Sequence, residues 1–172
     1  RTLAVVGITA IGMTLVMITG GVDISVGSVA ALAGVITSVL WREAGVPLLL
    51  STILALLGGT LVGLMNGLVI TVLKINPLIT TLATFSIVRG LAFVLSEGQT
   101  NMLSNPAFNY LGRGDLLGIP FSLFLMILLY LIFIYILNQT QFGRNLYAIG
   151  GSLERSRLAG IQVNRHLLIV YT

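Results

Sequence analysis

Long apolar runs separated by very few charges restrict this chain to a membrane environment. Between Thr2 and Trp41 the only charged side chain is Asp23. Hydrophobic residues make up 56% of the chain and charged residues 8%, whereas soluble domains carry about a quarter charged residues. The mean hydropathy is +1.06. Because so few charges cannot cover a water-facing surface, the sequence predicts an integral membrane protein.

Five apolar runs are candidates to cross or deeply enter a bilayer, since a spanning helix needs about 20 residues. They are Thr2–Gly21, Val26–Trp41, Leu48–Leu73, Leu78–Leu95 and Phe121–Leu137. A sixth run begins at Leu167 and is still incomplete at Thr172. We therefore expect an all-α, polytopic transmembrane helix bundle in which residues 1–172 form one partial membrane domain of a longer protein.

The distribution of arginines predicts the orientation of the chain, because Lys and Arg concentrate in cytoplasmic loops. Residues 138–166 contain four arginines and one acid, Glu154, and are predicted to form a cytoplasmic loop. Residues 96–120 are polar, with two acids and one arginine, and are predicted to be extracytoplasmic. Asp23 then lies at the inner side of the membrane or within it.

The run GGTLVGLMNG places Gly59, Gly63 and Gly67 four residues apart. Small residues at this spacing let a second helix approach closely, which favours helix packing over a pore-lining role. Asn66 lies beside this stripe, and a buried amide needs partners. Its side chain is expected either to bond another helix or to contact a polar substrate.

Arg89 lies inside the run LITTLATFSIVRGLAFVL, where a charge is costly and faces a cavity, a partner or the interface. Snorkelling or structural pairing is the simpler explanation, and a place on a substrate path is the alternative. Polarity alone adds five further candidates for a sugar path: Asn66, Thr80, Thr81, Thr84 and Ser86.

The stretch GGVDISVGS interrupts the first two apolar runs. Gly20 and Gly21 allow one helix to stop, and Asp23 or Ser25 is expected to cap the next helix, which begins near Val26. The alternative is that Asp23 is an ion-coupling carboxylate of a secondary transporter.

The segment AIGGSLERSRLAGI predicts a short helix between glycines, with Ser152 at its N-terminal cap and Gly160 at its left-handed end. A helix of two turns is marginal in water, so it needs a docking surface. The alternative is a solvated loop whose arginines only fix the topology.

Several chemistries find no support in the sequence. Cysteine is absent, and the one histidine, His166, has no acidic cluster around it, so a metal site is not expected. No GxxxxGK[ST] phosphate loop is present, and Ser28 has no base near it in sequence. The net charge of +4 comes from a few arginines, so nucleic acid is not an expected partner. We expect neither an enzyme nor a cofactor in this chain.

Three motifs in order resemble the permease subunits of the ribose/monosaccharide class of ATP-binding-cassette (ABC) importers. They are GGVDISVGS, NGLVITVLKINPLITTLATFSIVRGLAFVLSEGQT and GRNLYAIGGSLERSRLAGIQV. The resemblance implies a permease in the bacterial cytoplasmic (inner) membrane that moves a monosaccharide by alternating access. It also implies a second permease copy or paralogue, two separate ATPase subunits that hold ATP and Mg²⁺, and an extracytoplasmic sugar-binding protein.

In such permeases a cytoplasmic helix couples to the ATPase, and the resemblance assigns this role to one segment here. Its residues are Gly150, Gly151, Ser152, Leu153, Glu154, Arg155, Arg157, Leu158 and Gly160. An ion-coupled secondary transporter remains the alternative, and the single intramembrane acid argues against it. The sequence does not name the sugar.

Overall fold

The structure is a computed structural model that describes residues 2–99, 103, 105–116 and 118–172. These residues are predominantly helical. The helices are α1 (Thr2–Ile18), α2 (Val26–Arg42), α3 (Leu48–Thr71), α4 (Pro77–Leu95), α5 (Pro106–Arg113), α6 (Phe121–Gln139), α7 (Gln141–Gly151), α8 (Leu153–Leu158) and α9 (Val163–Tyr171). Two short strands, β1 (Asp115–Leu116) and β2 (Ile119–Pro120), pair antiparallel.

All five predicted apolar runs are helical. By length and composition α3, α4 and α6 are able to cross a membrane. The apolar helices α1 and α2 have 17 residues each, and at about 1.5 Å per residue such a helix measures about 26 Å, slightly less than the bilayer core of about 30 Å. The prediction of an all-α, polytopic membrane bundle is confirmed.

Capping side chains fix the starts of α4 and α7. Asn76 precedes α4 and its side-chain oxygen accepts a hydrogen bond from the Leu78 N–H at 2.9 Å, with Pro77 at the first helical position. Thr140 precedes α7 and accepts from the Gly143 N–H at 3.3 Å. Both arrangements satisfy backbone donors that a helix start leaves without an intrahelical partner.

The chain divides into two compact units. The first contains residues 1–20 and 103–166, in which α1 packs on α6 and both contact α7. A side chain on Gly150 would meet the carbonyl of Ile18 at the end of α1, and one on Gly143 would meet the backbone of Leu137 near the end of α6. Because both helices end beside α7, α1 and α6 run in the same direction.

The second unit contains residues 21–102 and 167–172. Its core includes Leu32 of α2 with Val88 and Ala92 of α4. The glycine stripe of α3 packs closely, since a methyl group on Gly67 would lie 2.9 Å from Leu168 Cδ1 and one on Gly63 would meet the Tyr171 carbonyl. The packing interpretation of the glycine spacing is therefore confirmed.

The two polar segments contain more regular structure than the sequence suggests. Residues 138–166 contain several helices, since α6 extends to Gln139 and α7, α8 and the start of α9 follow. Their apolar content is too low for a membrane run, but α7 still buries Leu146 and Ile149. The segment 96–120 contains α5 and the strand pair, while its residues 100–102, 104 and 117 lie outside the described residues. The side of the membrane on which either segment lies stays a prediction.

Candidate functional site

Asp23 sits in the extended stretch between α1 and α2 and is 8% exposed. One oxygen of its carboxylate, Oδ1, accepts two hydrogen bonds from Ser25, from the backbone N–H at 2.7 Å and from the hydroxyl at 2.6 Å. Gly20 has a φ of +80°, a left-handed conformation that glycine adopts without steric cost, and it follows the end of α1. The predicted helix break is therefore present, and Asp23 satisfies a backbone donor at the start of α2.

Ser25 occupies the cap position of α2 but does not act as a cap. Its backbone is already helical, with φ −74° and ψ −16°, and its side chain makes no capping hydrogen bond. Of the two predicted alternatives, Ser25 makes no capping bond, since its hydroxyl donates to Asp23 and its oxygen accepts from Asn66 rather than from a backbone N–H of α2. Asp23 rather than Ser25 therefore provides the side-chain acceptor at the start of α2.

Asn66 of α3 links this helix break to α4. It is 2% exposed; its Nδ2 donates to the Ser25 hydroxyl at 3.1 Å, and its Oδ1 accepts from the Thr84 hydroxyl at 2.6 Å. Thr84, Asn66, Ser25 and Asp23 thus form one directed series of hydrogen bonds that ends at a carboxylate, which we call the polar chain. Hydrogen bonds in such a series polarise one another.

The remaining candidates for the sugar path lie outside the polar chain. Thr81 is buried and its hydroxyl is 3.4 Å from the carbonyls of Val22 and Leu78. Thr80 is buried and donates to the Asn76 carbonyl of its own helix. Ser86 and Arg89 are both exposed on α4, and the Ser86 hydroxyl donates to the Leu82 carbonyl. The structure therefore brings together only Asn66 and Thr84 of the six residues.

The short helix α8 forms where the sequence predicts it. The Ser152 hydroxyl accepts from the Arg155 N–H at 3.3 Å, as a cap does. Gly160 follows with a φ of +81°. Leu158 is 85% exposed and Leu153 46% exposed, while Glu154, Arg155 and Arg157 are also exposed. Both predicted helix ends are confirmed.

Gly150 and Gly151 belong to the last turn of α7 rather than to α8. Since Gly150 lies against the Ile18 carbonyl, its lack of a side chain is required for helix packing. Within the described residues, no group of three or more His, Cys, Asp or Glu side chains is placed to hold a metal ion.

Two features of this arrangement have no counterpart in the sequence motifs. The contact of Ser25 with Asn66 joins residues 41 positions apart, and His166 of α9 contacts Phe142 and Asn145 of α7. Polarity marks Asn66 as a residue in need of partners, but no local pattern identifies which partners these are.

Comparison with known proteins places the chain among transport permeases. Residues 1–172 match the family described as branched-chain amino acid transport system / permease component. No solved structure shows a significant match.

Three curated relatives are sugar permeases by name. The ribose import permease protein of Bacillus subtilis is 40% identical, covering 100% of this chain and 54% of the relative. The L-arabinose ABC transporter permease protein of Azospirillum brasilense is 39% identical, covering 96% of the chain and 49% of the relative. The galactofuranose transporter permease protein of Escherichia coli is 34% identical, covering 98% and 49%.

The chain spans about half the length of the curated relatives it matches. The family description names branched-chain amino acids, whereas the relatives' names refer to sugars, so the family name does not fix a solute. The resemblance to ribose and monosaccharide permeases is confirmed at the level of sequence identity. The chain belongs to the permease component family of these transport systems, with ribose, arabinose and galactofuranose permeases among its relatives.

Proposed function

We propose that this chain is part of the membrane-spanning permease of an ABC importer for a monosaccharide or a similar small polar solute. Separate ATPase subunits hydrolyse ATP with Mg²⁺, and the permease alternates between outward-open and inward-open states. The names of the relatives support the solute class. The complete assembly adds a second permease copy or paralogue and an extracytoplasmic sugar-binding protein, in the bacterial inner membrane.

The observation that carries this proposal is the exposed apolar surface of α8. A six-residue helix is too short to be stable by itself in water. Leu158 nevertheless extends from it with 85% of its surface exposed, in a segment rich in arginine. An isolated solvent-facing leucine is common, but a capped short helix that presents leucine between charges is suited to helix-in-groove binding by a partner protein. We assign the ATPase subunit as that partner.

The polar chain is assigned a supporting role in this mechanism. Asn66 is 2% exposed and each of its polar atoms bonds a protein partner, so in this conformation its amide is not accessible to a sugar. Ser86 and Arg89, which are exposed on α4, are better placed to contact a solute. The polar chain holds the helix break against α3 and α4.

The coupling assignment is tested in the full-length permease with its ATPase and binding protein. Leu158→Asp and Arg157→Glu are compared with Arg144→Glu, a control in the exposed surface of α7 within the same basic segment. We expect the two α8 variants to reduce both co-purification of the ATPase and ATP-dependent uptake of D-ribose or L-arabinose. Wild-type association and uptake in both α8 variants would overturn the assignment.

An ion-coupled secondary transporter is the second candidate, and the burial of Asp23 favours it. Within the described part of the chain, this carboxylate forms no ion pair and is bonded only by Ser25, and intramembrane acids commonly serve ion coupling. The two mechanisms are distinguished by uptake in whole cells. Uptake that stops on ATP depletion but survives collapse of the proton and sodium gradients supports the importer, and the reverse supports ion coupling.

A further inference from the structure

His166, in the first half of α9, makes three contacts inside the first unit. Its ring stacks on Phe142 with centroids 5.6 Å apart and an interplanar angle of 18°. Its Nε2 lies 3.1 Å from Asn145 Nδ2, and its Nδ1 lies 2.9 Å from the Gln162 carbonyl. Phe142 and Asn145 belong to α7, so this one side chain joins α9 to α7.

The partners determine which form of the imidazole fits. The Gln162 carbonyl only accepts hydrogen bonds, so Nδ1 carries a proton and donates to it. Nε2 of the neutral ring then accepts from the Asn145 amide N–H. Both bonds are satisfied together by the neutral Nδ1–H tautomer, which is assigned here from the hydrogen-bond partners.

These contacts close a loop around α8. Asn145 and His166 are 21 residues apart in the chain, and α8 lies between them. The two connections to α8 are short, a single residue at Ser152 and the turn at residues 159–162. Fixing both flanking helices therefore limits the positions that α8 is able to take.

We propose that His166 is a positioning residue that holds α8 in place by fastening the start of α9 to α7. This inference rests on the proposed function, in which α8 is the element that binds the ATPase. His166 does not contact the solute or the ATPase in this proposal. It acts by keeping α8, with Leu158 exposed at its end, in one orientation relative to α7.

The first turn of α9 carries His166 within the first unit. Fastening that turn to α7 at His166 limits the position of α8 from its C-terminal side rather than leaving α8 on a flexible tether.

The test uses the full-length permease in its complete assembly, with transport measured in the unlabelled protein and mobility measured with a spin label on Ala159→Cys in a cysteine-free background. Ala159 is exposed at the end of α8 and is not among the residues assigned to ATPase contact. This chain itself contains no cysteine. His166→Ala removes the ring stack and both hydrogen bonds, and His166→Phe restores the stack alone. Asn145→Leu removes only the bond to Nε2. Arg165→Ala, a neighbouring exposed residue of α9, is the matched control.

We expect His166→Ala to increase the mobility of the label at position 159 and to lower the sugar transported per ATP hydrolysed by at least about fivefold, the factor that corresponds to loss of only one of its two hydrogen bonds. His166→Phe should be intermediate, and Arg165→Ala should match the wild type. If His166→Ala fails to accumulate in the membrane, Asn145→Leu provides the measurement with the ring stack intact.

An unchanged label spectrum and an unchanged transport ratio in His166→Ala, or in Asn145→Leu where it replaces that variant, would overturn the positioning role. A wild-type assembly without ATP-dependent uptake of D-ribose or L-arabinose would instead count against the proposed function. In that case the spectra at position 159 still decide whether His166 holds α8, so the two failures are distinguishable.

Discussion

Asn66 of α3 and Thr84 of α4 are joined by a hydrogen bond of 2.6 Å between the amide oxygen and the hydroxyl. The amide nitrogen of the same Asn66 donates to Ser25 at the helix break. One buried side chain therefore holds three parts of the second unit together. A hydrogen bond between membrane helices contributes up to about 1–2 kcal/mol, so loss of the Asn66–Thr84 bond has a measurable cost.

Thr84→Val is expected to lower the free energy of unfolding of the full-length permease by about 1–2 kcal/mol, because Asn66 Oδ1 loses its partner in a buried site. Thermal unfolding in detergent measures the loss. Thr80→Val is the matched control, since the buried Thr80 hydroxyl bonds only a carbonyl of its own helix. Equal losses in both variants would contradict a special role for the contact between Thr84 and Asn66.

Asp23→Asn is expected to fold and assemble as the wild type does, because the amide oxygen still accepts from the Ser25 N–H and hydroxyl. Asp23→Ala removes that acceptor, and loss of a helix-start acceptor costs about 1 kcal/mol. Circular dichroism melts and sugar uptake are measured for both variants. If Asp23→Asn folds and assembles normally but abolishes uptake, the carboxylate charge itself is required and the capping account is wrong.

Gly67→Ala is expected to destabilise the second unit by about 1–3 kcal/mol, the range for inserting a methyl group into a filled contact. The added carbon would lie 2.9 Å from Leu168 Cδ1 and 3.2 Å from Leu168 Cα, and the backbone atom has little room to move. Gly90→Ala in α4 meets no atom within 4 Å and serves as the control.

The control should gain stability by up to about 1 kcal/mol, because alanine favours a helix over glycine. The free energies of unfolding of the Gly67→Ala and Gly90→Ala variants are compared by denaturation of the purified full-length protein in detergent. Similar stabilities for Gly67→Ala and Gly90→Ala would show that α3 and the end of α9 do not pack through Gly67.

The sequence predicts the parts of this molecule that depend on local pattern. The apolar runs identify the membrane helices, and Ser152 and Gly160 mark the ends of α8 because their roles depend on neighbours in the chain. The polar chain is different, because Ser25 and Asn66 meet only after α2 and α3 have packed. The missing capping bond of Ser25 has the same origin, since its hydroxyl oxygen accepts from Asn66, a contact 41 residues away that a local capping rule does not include.

Residues 141–151 show a second limit of predicting structure from the sequence. Their composition, with Gln, Arg and Asn, is polar enough to be interpreted as a loop, yet they form α7. The helix is stabilised by Leu146 and Ile149, which are almost completely buried in the first unit, and by the glycines that let α1 and α6 approach. Tertiary packing rather than local propensity decides this element.

Gly160→Ala tests the end of α8 and with it the coupling assignment. Gly160 has a φ of +81°, and its N–H bonds the Arg157 carbonyl. An alanine in this left-handed conformation costs about 1–2 kcal/mol, so the last turn of α8 should fray. Gly160→Asn should retain more of the helix end, because asparagine tolerates this conformation better.

Gly12→Ala in α1 is the matched control, since Gly12 has no positive φ and an added methyl group meets no atom within 4 Å. In the full-length assembly, co-purification of the ATPase and ATP-dependent uptake should fall in the order Gly12→Ala, Gly160→Asn, Gly160→Ala. The order follows the strain at position 160 rather than the loss of glycine as such. Equal uptake in Gly160→Ala and Gly12→Ala would mean that the shape of the α8 end is not what the ATPase recognises.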